Sequence, residues 1–116
     1  MLAKANRITS AADYKRITRT GRRRRGALTL TYGKPREPST RPLRMGVIVA
    51  RNVGKAVVRN RVRRRIKAVG WELAREVSGL DVVVRALPSA ADAPFADLEG
   101  EVRSAVRSLA GREAAA

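Results

Sequence analysis

The spacing of apolar residues predicts one long amphipathic helix, from about Lys55 to Val77. At about 100° per residue, its apolar positions share a stripe roughly 80° wide, formed by Val58, Val62, Ile66, Val69 and Leu73. Basic residues cover the opposite side. Gly70 lies within the pattern and costs about 1 kcal/mol relative to Ala, so a bend or an early end there is an alternative.

A capping box predicts a short first helix. Ser10 stands three residues before Asp13, a spacing that satisfies free amide groups at a helix N-terminus, and the helix should run to about Arg19. Tyr14 and Ile17 share one face of this helix. That face is expected to pack against the rest of the domain.

Two kinds of apolar pattern predict three strands. Residues 27–32 and 43–50 alternate between apolar and polar, so we expect two half-buried strands that pair antiparallel. Residues 80–87 are apolar on both faces, which predicts a central or covered strand. Residues 1–8 and 111–116 lack such patterns and are predicted to be flexible ends.

The predicted order is α-β-β-α-β-α, with the last helix starting near Pro94, a residue suited to the first helical position. A length of 116 residues fits one small α+β domain, residues 1–116, with helices packed on a sheet. There is no cysteine, no apolar run long enough for a membrane span and no signal-peptide pattern. We therefore expect a cytoplasmic protein with no membrane partner.

The charge is large and uneven. The chain has 26 basic and 10 acidic residues, a net charge of +16. Residues 1–71 hold 21 of the basic and two of the acidic residues, whereas residues 72–116 hold five and eight. Eight of the seventeen residues 51–67 are Lys or Arg and none is acidic. Such a field indicates a nucleic-acid partner, and the predicted long helix would present it opposite the core stripe.

The side chains that usually perform catalysis are scarce. There is no His and no Cys, so the commonest acid–base groups and thiolate nucleophiles are missing. Asp97 and Glu101 are four residues apart on the last predicted helix, a spacing more typical of a solvated face. Gly54-Lys55 does not form a P-loop, because Ala56 replaces the Ser or Thr that would bind Mg²⁺. We expect no catalytic residue, metal site or cofactor in the protein alone.

The stretch G-K-A-V-V-R-N-R-V-R-R, residues 54–64, resembles the signature of the bacterial ribonuclease P protein family. The hallmark Arg-Asn-Arg matches residues 59–61, and the basic pair that follows matches Arg63 and Arg64. Asp13, with Tyr14 and Ile17 after it, and the D-V-V-V strand at residues 81–84 are also similar to the family. The resemblance spans roughly residues 6–110.

This resemblance implies a fold and a partner. The fold would be αβββαβα, with a mostly antiparallel sheet and a left-handed βαβ crossover, as in the second domain of ribosomal protein S5; the extra strand could lie at Arg22–Arg25. The protein would assist a catalytic RNA in removing the 5′ leader from precursor tRNA, with Mg²⁺ held by that RNA. No protein partner would be required. The run Arg22–Arg25 is otherwise equally consistent with a flexible RNA contact and a solvated loop.

The resemblance and the basic helix together nominate two groups of residues. The predicted RNA-binding residues are Arg51, Lys55, Arg59, Asn60, Arg61, Arg63, Arg64 and Lys67. The predicted leader-binding cleft contains Tyr14, Ile17 and Tyr32, where a base can stack on an aromatic ring.

Several of these assignments have alternatives. Asn60 is expected to hydrogen-bond a ribose or base edge, or to orient Arg59 or Arg61, but it could be a tolerated surface residue. Tyr14 could simply be core. Asn52 departs from the family's usual second lysine, and Thr18 stands where a second aromatic residue is common. Both departures are expected to weaken contacts.

Two other functions are compatible with the composition. A ribosomal or RNA-chaperone protein of similar fold would bind ribosomal RNA tightly without stimulating tRNA processing. A DNA-binding module would place the basic helix in a major groove, although the sequence offers no dimerisation element to set half-sites.

Overall fold

The computed structural model describes residues 2–115. It contains three α-helices and four strands in the order αβββαβα, as the resemblance implied. In chain order they are α1 (Ala11–Thr20), β1 (Arg22–Arg25), β2 (Thr29–Pro35), β3 (Arg44–Ile48), α2 (Ala56–Leu73), β4 (Leu80–Ala86) and α3 (Phe95–Ala115). Short 3₁₀ turns lie at Lys4–Asn6, Arg51–Val53 and Pro88–Ala91.

The four strands form one mixed sheet in the order β1-β2-β4-β3. β2 pairs antiparallel with β1 and β4, while β3 pairs parallel with β4. The predicted antiparallel pairing of residues 27–32 with residues 43–50, which form β2 and β3, is therefore wrong. The alternating pattern of β3 indicates a half-buried strand, but it does not indicate which strand lies beside it. Helix α2 returns the chain to the other end of the sheet, so β4 runs parallel to β3. β4 is central, as its two apolar faces predicted.

The run Arg22–Arg25 is the extra strand. It pairs with residues 30–33 of β2, and all four arginines are exposed. Four adjacent charges at the edge of a sheet oppose pairing with a strand of another chain, so this polar segment can form the edge strand without promoting aggregation.

Helix α2 buries the stripe that periodicity predicted. Val62, Ile66, Val69 and Leu73 are all buried in the core between α2, α3 and the sheet. The helix passes through Gly70 without ending there. A Cβ at Gly70 would lie 2.5 Å from the Met45 sulfur, so the glycine permits close packing of α2 on β3.

The two ends of the chain are more structured than predicted. Leu2 is buried in the core, and Ile8 donates its amide to the Met45 carbonyl at 3.1 Å. The Asn6 side chain donates to the Leu43 carbonyl at 2.7 Å. Residues 2–8 are therefore packed against β3, where the sequence predicted a flexible end. At the other end α3 continues past Gly111 to Ala115, and Ala116 lies outside the described residues. Across residues 2–115, no helix combines the length and the apolarity that crossing a membrane requires.

Val62→Ala should lower the free energy of unfolding by about 1–3 kcal/mol, because it removes two buried methyl groups at the centre of the stripe. Chemical denaturation measures this loss. Val57→Ala is the matched control, since Val57 lies on the same helix and is 75% exposed. Equal stability of the two variants would contradict the assignment of the core face.

Candidate RNA-binding surfaces

The outer side of α2 carries a row of polar and basic side chains, called here the basic row: Asn60, Arg63, Arg64 and Lys67. Asn60 and Arg64 are exposed, and the other two are half-buried. The Asn60 side-chain oxygen accepts a hydrogen bond from Arg63 Nη1 at 2.7 Å. Asn60 thus orients Arg63, whereas the sequence suggested Arg59 or Arg61. Positions four apart advance by about 6 Å, a spacing comparable with that of phosphates along a strand.

A second basic group lies at the start of α2. Arg51 and Lys55 are exposed, and Arg59 Nε donates to the Gly54 carbonyl at 3.1 Å. Gly54 has a φ of 154°, which its lack of a side chain allows. Asn52, the residue at which the sequence departs from the resemblance, is exposed beside Arg51. The tight turn therefore places three cations at the N-terminal end of the basic helix.

Arg61 and Arg65 point away from the basic row. Arg61 Nη2 donates to the Ala91 carbonyl and Arg65 Nη1 to the Ala93 carbonyl, each at 3.3 Å. The Arg65 guanidinium also lies 6.0 Å from the ring centroid of Phe95. Both side chains hold the segment between β4 and α3 against α2. RNA binding by Arg61 stays a prediction, and its inward hydrogen bond adds a structural role that periodicity did not indicate.

The face of the sheet opposite α2 and α3 is only partly covered. Cross-strand pairing aligns Arg25 with Leu30, Leu30 with Arg85, and Arg85 with Ile48, so one row crosses all four strands. The two arginines are exposed, and Leu30 and Ile48 are half-buried. These four residues are called the open row below. It has apolar positions next to exposed cations.

Helix α1 covers the neighbouring row of the same face. A Cβ at Gly46 would lie 2.6 Å from the Tyr14 ring, and the Tyr14 hydroxyl accepts a hydrogen bond from the Val47 amide at 3.2 Å. Ile17 and Tyr32 are buried in the cluster beneath α1. The structure brings the three predicted leader-cleft residues together, but only the half-buried Tyr14 has surface to offer a ligand.

Helix α1 is also tied to the sheet by a buried carboxylate. Asp81 accepts two hydrogen bonds from Arg44, at 2.9 and 2.8 Å, and one from Arg16 of α1 at 3.0 Å. Arg36 lies 3.3 Å from the same carboxylate. Burial alone would raise the pKa of Asp81, but the hydrogen bonds from Arg44 and Arg16, together with the charges of Arg44 and Arg36, hold the pKa below its usual range. This cluster, together with the packing of Tyr14 and Ile17, holds α1 on the sheet.

Comparison with known proteins identifies the family. A family model described as Ribonuclease P matches residues 2–110. The chain belongs to the ribonuclease P protein family. The ribonuclease P protein component of Clavibacter michiganensis subsp. michiganensis is 43% identical over 107 residues, which cover 91% of this chain and 94% of the relative. That of Acidothermus cellulolyticus is 41% identical over 102 residues, with 87% and 85% covered.

Solved structures agree in fold. A mutant RNase P protein of Staphylococcus aureus matches with a TM-score of 0.81 at 24% identity, covering 90% of this chain and 87% of that one. The RNase P protein of Thermotoga maritima matches with a TM-score of 0.71 at 19% identity, covering 91% and 96%. At these identities the likeness shows the fold alone.

Family membership settles the function at a coarse level. The chain is the protein component of ribonuclease P, an endoribonuclease of tRNA 5′ processing whose catalysis in bacteria is RNA-based, and its partner in that enzyme is an RNA subunit. The ribosomal and DNA-binding alternatives are set aside by the same matches.

Sequence reasoning missed two features of the surface. Arg85 is the one exposed residue of β4, and the available signal was a single charge within an apolar strand. Glu101 is not the solvated helix residue predicted. Its carboxylate accepts hydrogen bonds from the Leu28 amide at 3.0 Å and the Thr29 hydroxyl at 2.6 Å. Glu101 therefore fastens the β1–β2 turn to α3 and keeps Arg25 at the end of the open row.

Proposed function

We propose that this ribonuclease P protein binds its catalytic RNA through the basic row of α2 and guides the single-stranded 5′ leader of precursor tRNA across the open row. The observation that carries the proposal is the open row itself. It crosses the whole sheet and combines half-buried Leu30 and Ile48 with exposed Arg25 and Arg85. The neighbouring row lies beneath α1.

The dimensions of the open row suit a single strand. Neighbouring strands are about 4.8 Å apart, so the four positions extend over roughly 14 Å. Apolar side chains and the planar guanidinium of arginine accept stacked bases of any type, and the guanidinium can also bind phosphate. Tyr14 borders this surface. Such contacts tolerate any leader sequence, which a processing enzyme with many tRNA substrates requires.

The basic row serves a different RNA. Arg63, held by Asn60, can bind a phosphate with both arms of its fork, while Arg64 and Lys67 add cations on the same side of the helix. These charges offset phosphate repulsion in the folded RNA. Mg²⁺ for the chemistry would be held by the RNA, and the protein should lower the Mg²⁺ concentration that cleavage needs.

Arg85→Ala should reduce the ratio of precursor to mature tRNA affinity of the holoenzyme by about tenfold, since it removes a stacking and phosphate-binding group from the leader path. Arg25→Ala should act in the same direction. Arg24→Ala is the matched control, because Arg24 is equally exposed on the same strand but projects from the other face of the sheet. Binding of both tRNAs, and of the catalytic RNA, is measured for each variant.

Three outcomes would contradict the proposal. One is an unchanged precursor-to-mature ratio in both Arg85→Ala and Arg25→Ala. Another is an equal loss in Arg24→Ala, which would indicate a general charge effect. The third is cleavage of precursor tRNA by the purified protein with Mg²⁺ and no RNA subunit, which would move catalysis to the protein.

A further inference from the structure

Trp71 extends the basic row by one helical turn. It is the only tryptophan in the chain and is 39% exposed. It follows Lys67 by four residues, or about 6 Å along the axis. At about 100° per residue it falls within roughly 40° of Asn60, Arg64 and Lys67, and about 180° from Val62 at the centre of the core stripe. Trp71 therefore lies on the side of α2 that carries the basic row, and packing of the core does not explain its position.

The charges around Trp71 favour an anionic ligand. The Arg75 guanidinium carbon lies 4.9 Å from the centroid of the Trp71 ring. Two acidic side chains in this stretch turn toward arginines of α3 instead: Glu72 lies 3.5 Å from Arg103, and Glu76 lies 3.4 and 2.9 Å from Arg103 and Arg107. At about 100° per residue, these two carboxylates lie roughly 100° and 140° around the helix from Trp71. Both of these carboxylates are therefore paired within the protein where a polyanion would approach the indole.

We propose that Trp71 is a stacking platform for an unpaired nucleobase of the catalytic RNA, beside phosphates bound by Arg64 and Lys67. The inference rests on the proposed binding of that RNA by the basic row. A large aromatic ring exposed among cations matches a nucleotide, whose base stacks while its phosphate pairs with the neighbouring charge. An apolar protein partner would instead have to bury these cations without compensation.

The single tryptophan makes the test direct. Adding the catalytic RNA to the full-length protein should quench Trp71 fluorescence and protect it from acrylamide. Trp71→Ala should weaken RNA binding about tenfold, as expected for one stacked base. It should leave the salt dependence of binding unchanged, since no phosphate contact is lost. Trp71→Phe should retain most of the affinity. Arg64→Ala, by contrast, should reduce the salt dependence.

The two proposals fail in different ways. Wild-type affinity in Trp71→Ala, together with a reduced salt slope in Arg64→Ala, would overturn the stacking role alone. An unchanged slope in Arg64→Ala would instead count against the basic row. Self-association of the protein that Trp71→Ala abolishes without affecting RNA affinity would overturn stacking in favour of a protein contact. Because Trp71 lies outside the buried stripe, its variants should remain folded, which a melting curve checks. Wild-type quenching provides a readout that needs no variant.

Discussion

Asp81→Asn should lower the free energy of unfolding by about 3 kcal/mol, the low end expected when one partner is removed from a buried ion pair. The carboxylate is nearly inaccessible and faces Arg16, Arg36 and Arg44. Without it, three guanidinium groups converge on a neutral amide. The low end applies because Arg16 is partly exposed and Asp13 also lies near Arg16 and Arg44. Urea denaturation of both proteins measures the difference.

The difference in unfolding free energy between the wild-type protein and Asp81→Asn should decrease at low pH. The pKa of Asp81 is held below that of an unfolded chain, about 3.9. Its contribution is therefore fully present above pH ~5 and is lost as pH falls through the folded-state pKa. The gap between wild type and Asp81→Asn should stay constant from pH 8 to about 5.5 and shrink below about 4.

Asp92→Asn is the matched control, because Asp92 is exposed and the substitution changes charge identically. It should alter stability by no more than about 0.5 kcal/mol. An equal loss in both variants would show that net charge, and not the cluster, stabilises the fold. Since Asp81 joins α1 to the sheet through Arg16, Asp81→Asn should also weaken leader preference at temperatures where the protein remains folded.

Local periodicity explains which parts of the fold were predictable. The buried stripe of α2 follows from positions three and four apart, which one helix places together whatever surrounds it. The hydrogen bond between Arg63 and Asn60 is also local, because the two residues are three positions apart. The sequence prediction named Arg59 and Arg61 as the arginines that Asn60 would orient. The capping of α1 by Ser10, whose hydroxyl accepts the Asp13 amide at 3.0 Å, is local in the same way.

The features that escaped prediction depend on residues far apart in sequence. β3 pairs with β4, from which it is separated in sequence by all of α2, and the alternating pattern within β3 does not indicate that pairing. Glu101 binds the β1–β2 turn 72 and 73 positions away. Arg85 is exposed because α1 covers only one part of the sheet, where Tyr14 and Ile17 pack against it and Arg16 contacts Asp81. Each is a property of tertiary packing.

Replacing Arg63, Arg64 and Lys67 together with Ala should weaken binding of the catalytic RNA by about 100-fold near physiological salt, about 1 kcal/mol for each charge-assisted contact. The slope of log K against log[salt] should become shallower by about 2–3, since each lost phosphate contact removes roughly 0.7–0.9. Binding across a series of salt concentrations measures both quantities. The fold should persist, because these side chains lie opposite the buried stripe.

A second triple variant separates location from net charge. Lys15, Arg19 and Arg41 are exposed, and the first two lie on α1, across the sheet from α2. Their replacement with Ala removes the same charge and should leave the slope for the catalytic RNA nearly unchanged. Replacing Arg63 and Arg64 with Lys should keep the slope but lose part of the affinity, because lysine cannot hold phosphate with a planar fork. Equal slopes for the two triple variants would mean that the RNA responds to the total charge of the protein and not to the basic row.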